Sequence, residues 1–104
     1  MTQHVIAWND VPWTTAPGGV TKRHVVLEGV SLVTVSVPAG TEAPRHSHDH
    51  EQIVQVISGS GTLTTEQGPR AFGPGSLFVF PTGTWHSASF ETETVLVETN
   101  VSTS

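Results

Sequence analysis

Three of the six histidines of this 104-residue chain fall at alternate positions of the stretch RHSHDHEQ, residues 45–52. On an extended strand His46 and His48 share a face with their Cα atoms roughly 6.6 Å apart, so both imidazoles reach one ion at about 2.0–2.1 Å. A strand that simply ran on would carry Gln52 roughly 13 Å beyond His48. A tight connection through residues 49–51 instead returns Gln52 on the neighbouring antiparallel strand, facing the two rings. Once the chain turns, parity no longer says where His50 points. It is a further ligand, a proton-transfer group beside the ligands, or a solvated turn residue, and the last two suit it better. Glu51, in the same turn, is either a proton carrier or a solvated carboxylate. A lone histidine would read as structural; "HSH" with an amide at return spacing reads as part of a metal site.

A second cluster supplies another nitrogen. In GSLFVFPTGTWH, residues 75–86, Pro81 and Gly83 turn the chain directly after an apolar strand, and His86 arrives just beyond the turn. That placement makes it the third imidazole. The chain has no cysteine, so any ion is held by nitrogen and oxygen, and thiolate chemistry and disulfides are excluded. The absence of tyrosine removes a phenolic acid, leaving metal-bound water, His50 or one of the few carboxylates for acid–base work.

The elements that must position these groups are strands. Ten glycines and seven prolines interrupt every window that would otherwise suit a helix. SLVTVSV, residues 31–37, puts Val33, Val35 and Val37 on one face, the alternation of a half-buried strand. QIVQVIS and GTLTTE, on either side of SGSG, read as a hairpin. SLFVF is apolar on both faces, as expected of a strand covered on both sides by a second sheet or a partner subunit. TVLVET, residues 94–99, is a last strand before a frayed tail at residues 100–104, and residues 1–16 form an N-terminal arm. Short strands between glycine and proline turns indicate one all-β domain, a sandwich or barrel.

Net charge is −5, with only Lys22, Arg23, Arg45 and Arg70 as fixed cations, which argues against nucleic acid and for a small-molecule partner. No apolar run exceeds four residues, so no membrane-spanning helix is expected. The N-terminus shows no secretory signal pattern, and the cytoplasm is the expected location.

At the two histidine clusters the sequence resembles the cupin superfamily. The motif G-x5-H-x-H-x3-E-x6-G is matched in spacing by Gly40, His46, His48, position 52 and Gly59. The motif G-x5-P-x-G-x2-H-x3-N is matched by Gly75, Pro81, Gly83 and His86. The resemblance implies a jelly-roll β-barrel, often a homodimer, with one divalent metal inside held by His46, His48, position 52 and His86. Two positions depart from the pattern: Gln52 replaces glutamate and Phe90 replaces asparagine. Three neutral imidazoles and a neutral amide leave the ion's +2 charge uncompensated, which favours Lewis-acid chemistry on an anionic oxygen. If the amide does not ligate, three histidines remain.

"HSHDHEQ" is also similar to a subset of small cupins with Gln at this position, including enzymes that open or isomerise unsaturated uronic acids and small polyketide cyclases. The sugar enzymes carry an acid and a base near the C-terminus, where this chain offers Glu98 but no arginine. The resulting expectation is a metal-dependent enzyme using Lewis-acid assistance for isomerisation, cyclisation or lyase chemistry on a small oxygen-rich molecule. A non-haem metal dioxygenase and a non-catalytic metal- or sugar-binding module are the alternatives. Zinc, nickel, iron and manganese all suit the ligand set. Arg23 is the candidate anion clamp, and Phe78, Trp85 and Phe90 are candidate pocket walls. Arg45 is expected at the surface, and His4 and His24 away from the site.

Overall fold

In the computed structural model, which describes residues 4–102, ten strands form two antiparallel sheets that face each other as a jelly-roll barrel. The strands are β1 (Thr14–Thr15), β2 (Thr21–Leu27), β3 (Val30–Val37), β4 (Glu42–His46), β5 (Glu51–Ser58), β6 (Gly61–Thr65), β7 (Gly68–Phe72), β8 (Leu77–Phe80), β9 (His86–Phe90) and β10 (Thr94–Val101). One sheet has the order β1-β2-β3-β10-β5-β8 and the other β4-β9-β6-β7. The N-terminal arm holds a single 3-10 turn at Trp8–Asp10 and then the short β1, which pairs with β2. No helix among the described residues is long and apolar enough to cross a membrane.

Alternation decides what each strand buries. Val33, Val35 and Val37 on β3, Gln52, Val54 and Val56 on β5, and Thr94 and Leu96 on β10 all turn inward and are buried. Phe72, Phe78, Phe80 and Phe90 complete the core, with Phe72 edge-on to Phe78 and Phe90. Cross-strand register sorts the interior of the larger sheet into layers. Val35, Leu96 and Val56 lie level with one another; the next layer holds Val33, Glu98, Val54 and Phe78, and the next Ser31, Asn100, Gln52 and Phe80. The interior thus passes from apolar to polar along the barrel axis, and the histidines lie toward the polar end.

Two expectations need correction. QIVQVIS and GTLTTE do not form a hairpin: β5 is already bonded on both edges by β10 and β8, so β6 joins the other sheet, between β7 and β9. The connection is a corner tied to the β9–β10 loop, with Glu91 N donating to Ser60 O at 3.0 Å and Ser60 N to Thr92 Oγ1 at 3.0 Å. Within one chain the barrel covers SLFVF on one face, and the other is the face for which the sequence allowed a partner subunit. Phe78 and Phe80 are buried, but Leu77 (62%) and Val79 (65%) are exposed on a strand at the sheet edge. Asn100 and Val101, read as the start of a frayed tail, are the last rungs of β10, opposite Gln52 and Glu51 on one side and Ser31 and Val30 on the other. Of that tail, residues 103–104 lie outside the described residues.

Candidate metal centre

His46 ends β4 and His86 begins β9, and the two are direct cross-strand partners with ring centroids 4.2 Å apart. His48 lies just past β4 in an extended segment rather than within the strand. The proline turn holds it there: Gly83, at φ 83°, donates its N–H to His48 O at 2.9 Å. This left-handed conformation favours glycine and aims the amide back at the first histidine cluster. His48 is 5.1 Å from His46 and 5.5 Å from His86 between ring centroids. One ligand atom from each of the three rings lies within 4.8 Å of the others. Two nitrogens sharing an ion at about 2.0–2.1 Å are separated by no more than roughly 4 Å, so small ring rotations complete the approach.

Each imidazole is prepared for a cation. The carbonyl of Pro44 lies 2.7 Å from His46 Nδ1 and can only accept, so Nδ1 carries the proton and Nε2 keeps its lone pair. Phe80 stacks on His86 at 3.8 Å and 2°, fixing the plane of that ring. Burial, then the neighbouring His46 and His48, lower the pKa of His86 to about 4. The Thr84 carbonyl tempers this without making a well-formed hydrogen bond, and His86 Nδ1 is buried without a partner. Burial, then His46 and His50, also lower His48. The lowered pKa values of His48 and His86 and the orphaned buried nitrogen of His86 fit a divalent metal.

Gln52 comes from the opposite sheet. The turn at residues 49–51 therefore carries the chain across the barrel, rather than to a neighbouring strand of the same sheet. Gln52 is 5% exposed and donates Nε2–H to Asn100 Oδ1 at 2.8 Å, while no hydrogen bond among the described residues engages its Oε1. Gln52 lines the same cavity as the three histidines. Asn100 also accepts from His50 Nε2 at 3.1 Å and donates Nδ2–H to Ser31 Oγ at 3.3 Å.

The cavity measures ≈ 230 Å³, at the small end for ligand pockets. Its apolar wall includes Val35, Leu96, Phe78, Phe80 and Phe90, and its charged lining is Lys22 and Glu98. Phe78 and Phe90, the candidate pocket walls, both line this cavity. Arg23 and Trp85 do not line the cavity, and neither do His50 and Glu51, which the sequence left as proton-transfer groups or solvated turn residues. Arg23 lies over the Trp13 ring at 3.9 Å, because β2 parity turns its neighbour Lys22 inward. Trp85 lies under the Arg45 guanidinium at 3.9 Å, outside the cavity, and Arg45 is exposed as expected. His50 bonds Asn100 and sits 3.4 Å from Asp49, in an outer groove beyond the cavity wall. Glu51 is exposed at the start of β5. Lys22 and Asn100 were not singled out for the site from sequence, and Glu98 entered only through the likeness to the sugar enzymes. For the last two the signal was present, since the inward parity of Thr94 and Leu96 continues to positions 98 and 100.

A family model described as a cupin domain matches residues 33–101. Among curated proteins no sequence matches the chain. Among solved structures, an RmlC-like cupin from Shewanella frigidimarina is 20% identical with a TM-score of 0.88, the alignment covering 96% of this chain and 91% of that one. KdgF from a Halomonas species is 24% identical with a TM-score of 0.80 over 91% and 92% of the two chains. The polyketide cyclase RemF from Streptomyces resistomycificus is 19% identical with a TM-score of 0.82 over 96% and 80%.

Proposed function

The chain belongs to the cupin family, and from that premise we propose that it is a metal-dependent enzyme that isomerises, cyclises or eliminates within a small oxygen-rich molecule. The observation that carries this reading is the meeting of His46, His48 and His86 within one small cavity, their ligand atoms no more than 4.8 Å apart. These residues, with Gln52 Oε1 as the fourth donor, would hold one divalent ion. When bound, that ion supplies Lewis-acid polarisation of a carbonyl or enolate oxygen. The protein's own parts do the rest. Pro44 fixes the His46 tautomer, Phe80 fixes the His86 plane, and Asn100 orients Gln52. Phe78, Phe90 and Leu96 exclude water from the inner end, where charge interactions are strengthened. The likeness to a polyketide cyclase agrees with cyclisation as one of the three reaction types.

The test is chelator-treated protein given zinc, nickel, manganese or iron(II) and incubated anaerobically with a panel of unsaturated sugar acids, keto acids and polyketide-like diketones, followed by NMR. Metal-restored conversion without dioxygen supports the reading. Conversion that needs dioxygen points to an oxygenase, and recovery of every compound unchanged points to a binding module.

We also propose a homodimer. Ile53 (44%) and Ile57 (53%) on β5 are exposed beside Leu77 and Val79 on β8, with Ile53 directly opposite Val79. This continuous apolar face suits burial against a second copy.

A further inference from the structure

The cavity holds two opposite charges that do not meet. Lys22 enters from β2 and Glu98 from β10, and both line the cavity. The register places Lys22 level with Leu96, two strands and two residues from Glu98, so their Cα atoms lie roughly 12 Å apart. The only ion pair among the described residues joins His50 and Asp49, outside this cavity. No side-chain hydrogen bond among the described residues engages Lys22 Nζ or the Glu98 carboxyl. Burial raises the pKa of Glu98, and Lys22 is the largest of the influences that oppose it. The two groups therefore feel each other across the space without closing it. Both are half-buried in a cavity whose wall is largely apolar, where an unpaired charge is costlier than in water.

We propose that Lys22 and Glu98 form a two-point recognition site for a small hydroxycarboxylate, Lys22 holding the carboxylate and Glu98 the hydroxyl. The ammonium is a compact donor suited to one end of an anion, and the carboxyl of Glu98 accepts from, or donates to, an oxygen at the other. The two ends of such a molecule span the gap, and a cavity of ≈ 230 Å³ selects for few atoms. Phe78, Phe90 and Leu96 pack the carbon skeleton between them. This assignment names the substrate class for the proposed metal enzyme and rests on that reading for catalysis, whereas recognition itself requires only Lys22 and Glu98.

The test is a two-dimensional NMR titration with lactate, its neutral analogue lactamide, and propionate, which lacks the hydroxyl. Each is run on chelator-treated and on zinc-loaded protein. Wild type should bind lactate at least tenfold more tightly than either analogue in both forms, with shifts on β2 and β10. Lys22→Met should remove the preference over lactamide and keep the preference over propionate; Glu98→Leu should do the reverse. Should either variant lose its dispersed spectrum, Lys22→Gln and Glu98→Ala serve in its place. Equal binding of lactate and lactamide by wild type, no binding of lactate at all, or a preference for lactate over lactamide that survives Lys22→Met would overturn the assignment. Failure of the metal reading looks different: wild type would bind no zinc yet still discriminate lactate through Lys22.

Discussion

Asn100 joins the candidate ligand Gln52 to His50 and Ser31 by hydrogen bonds of 2.8, 3.1 and 3.3 Å. Replacing it with leucine leaves the buried Gln52 amide donor unsatisfied and frees its oxygen from a fixed orientation. Asn100→Leu should cost about 1–3 kcal/mol in urea unfolding and weaken zinc binding about 10- to 100-fold. A variant with native affinity would show that Gln52 needs no orientation. The low pKa of His86 also sets an acid limit on the metal-free protein. Unfolding restores the imidazole to its ordinary value of 6.5, against about 4 when folded, so between those values the unfolded chain binds more protons. Stability is full above pH 6.5 and falls as the pH drops toward 4. The loss should amount to about 2 kcal/mol, allowing for partial solvent screening. Urea midpoints measured across that range should decline in wild type and stay flatter in His86→Phe.

At the scale of elements, the β5–β6 corner does more than connect. Gly59 has φ 97°, and a Cβ there would collide with Thr94 Oγ1 and come within 2.6 Å of Glu93 O. Gly59→Ala should therefore cost about 3 kcal/mol or more, combining strain with a backbone clash. Gly83→Ala meets nothing within 4 Å and should cost only about 1 kcal/mol, read by the same unfolding measurement. Strand faces were legible because burial imposes a period of two, as Val33, Val35 and Val37 show. Strand partners were not, because partnership depends on which edges are free. GTLTTE looked like the mate of QIVQVIS until β10 and β8 took both edges of β5. The same limit separated Arg23 from Lys22: inward parity on β2 is set by its register against β3, and a shift of one residue exchanges the two cations. The histidine cluster could be read because His46 and His48 keep the two-residue period of an extended segment and His86 follows directly on a short proline–glycine turn.

For the whole molecule, the uncovered face of β5 and β8 leads to an assembly prediction. Light scattering should find a dimer, and Val79→Glu, which puts a charge beside the exposed Ile53 and Leu77, should yield a monomer with an unchanged circular dichroism spectrum. A dimer that tolerates the charge would place the interface elsewhere. Both sheets converge on one cavity, the smaller supplying His46, His48 and His86 and the larger supplying Gln52. Elemental analysis of the purified protein, wild type beside His48→Ala, tests that convergence most directly. The account predicts about one equivalent of a divalent transition metal per wild-type chain and little or none in the variant. A wild-type protein that stays metal-free after incubation with zinc, nickel, manganese and iron(II), or a His48→Ala protein that keeps its full complement, would contradict it.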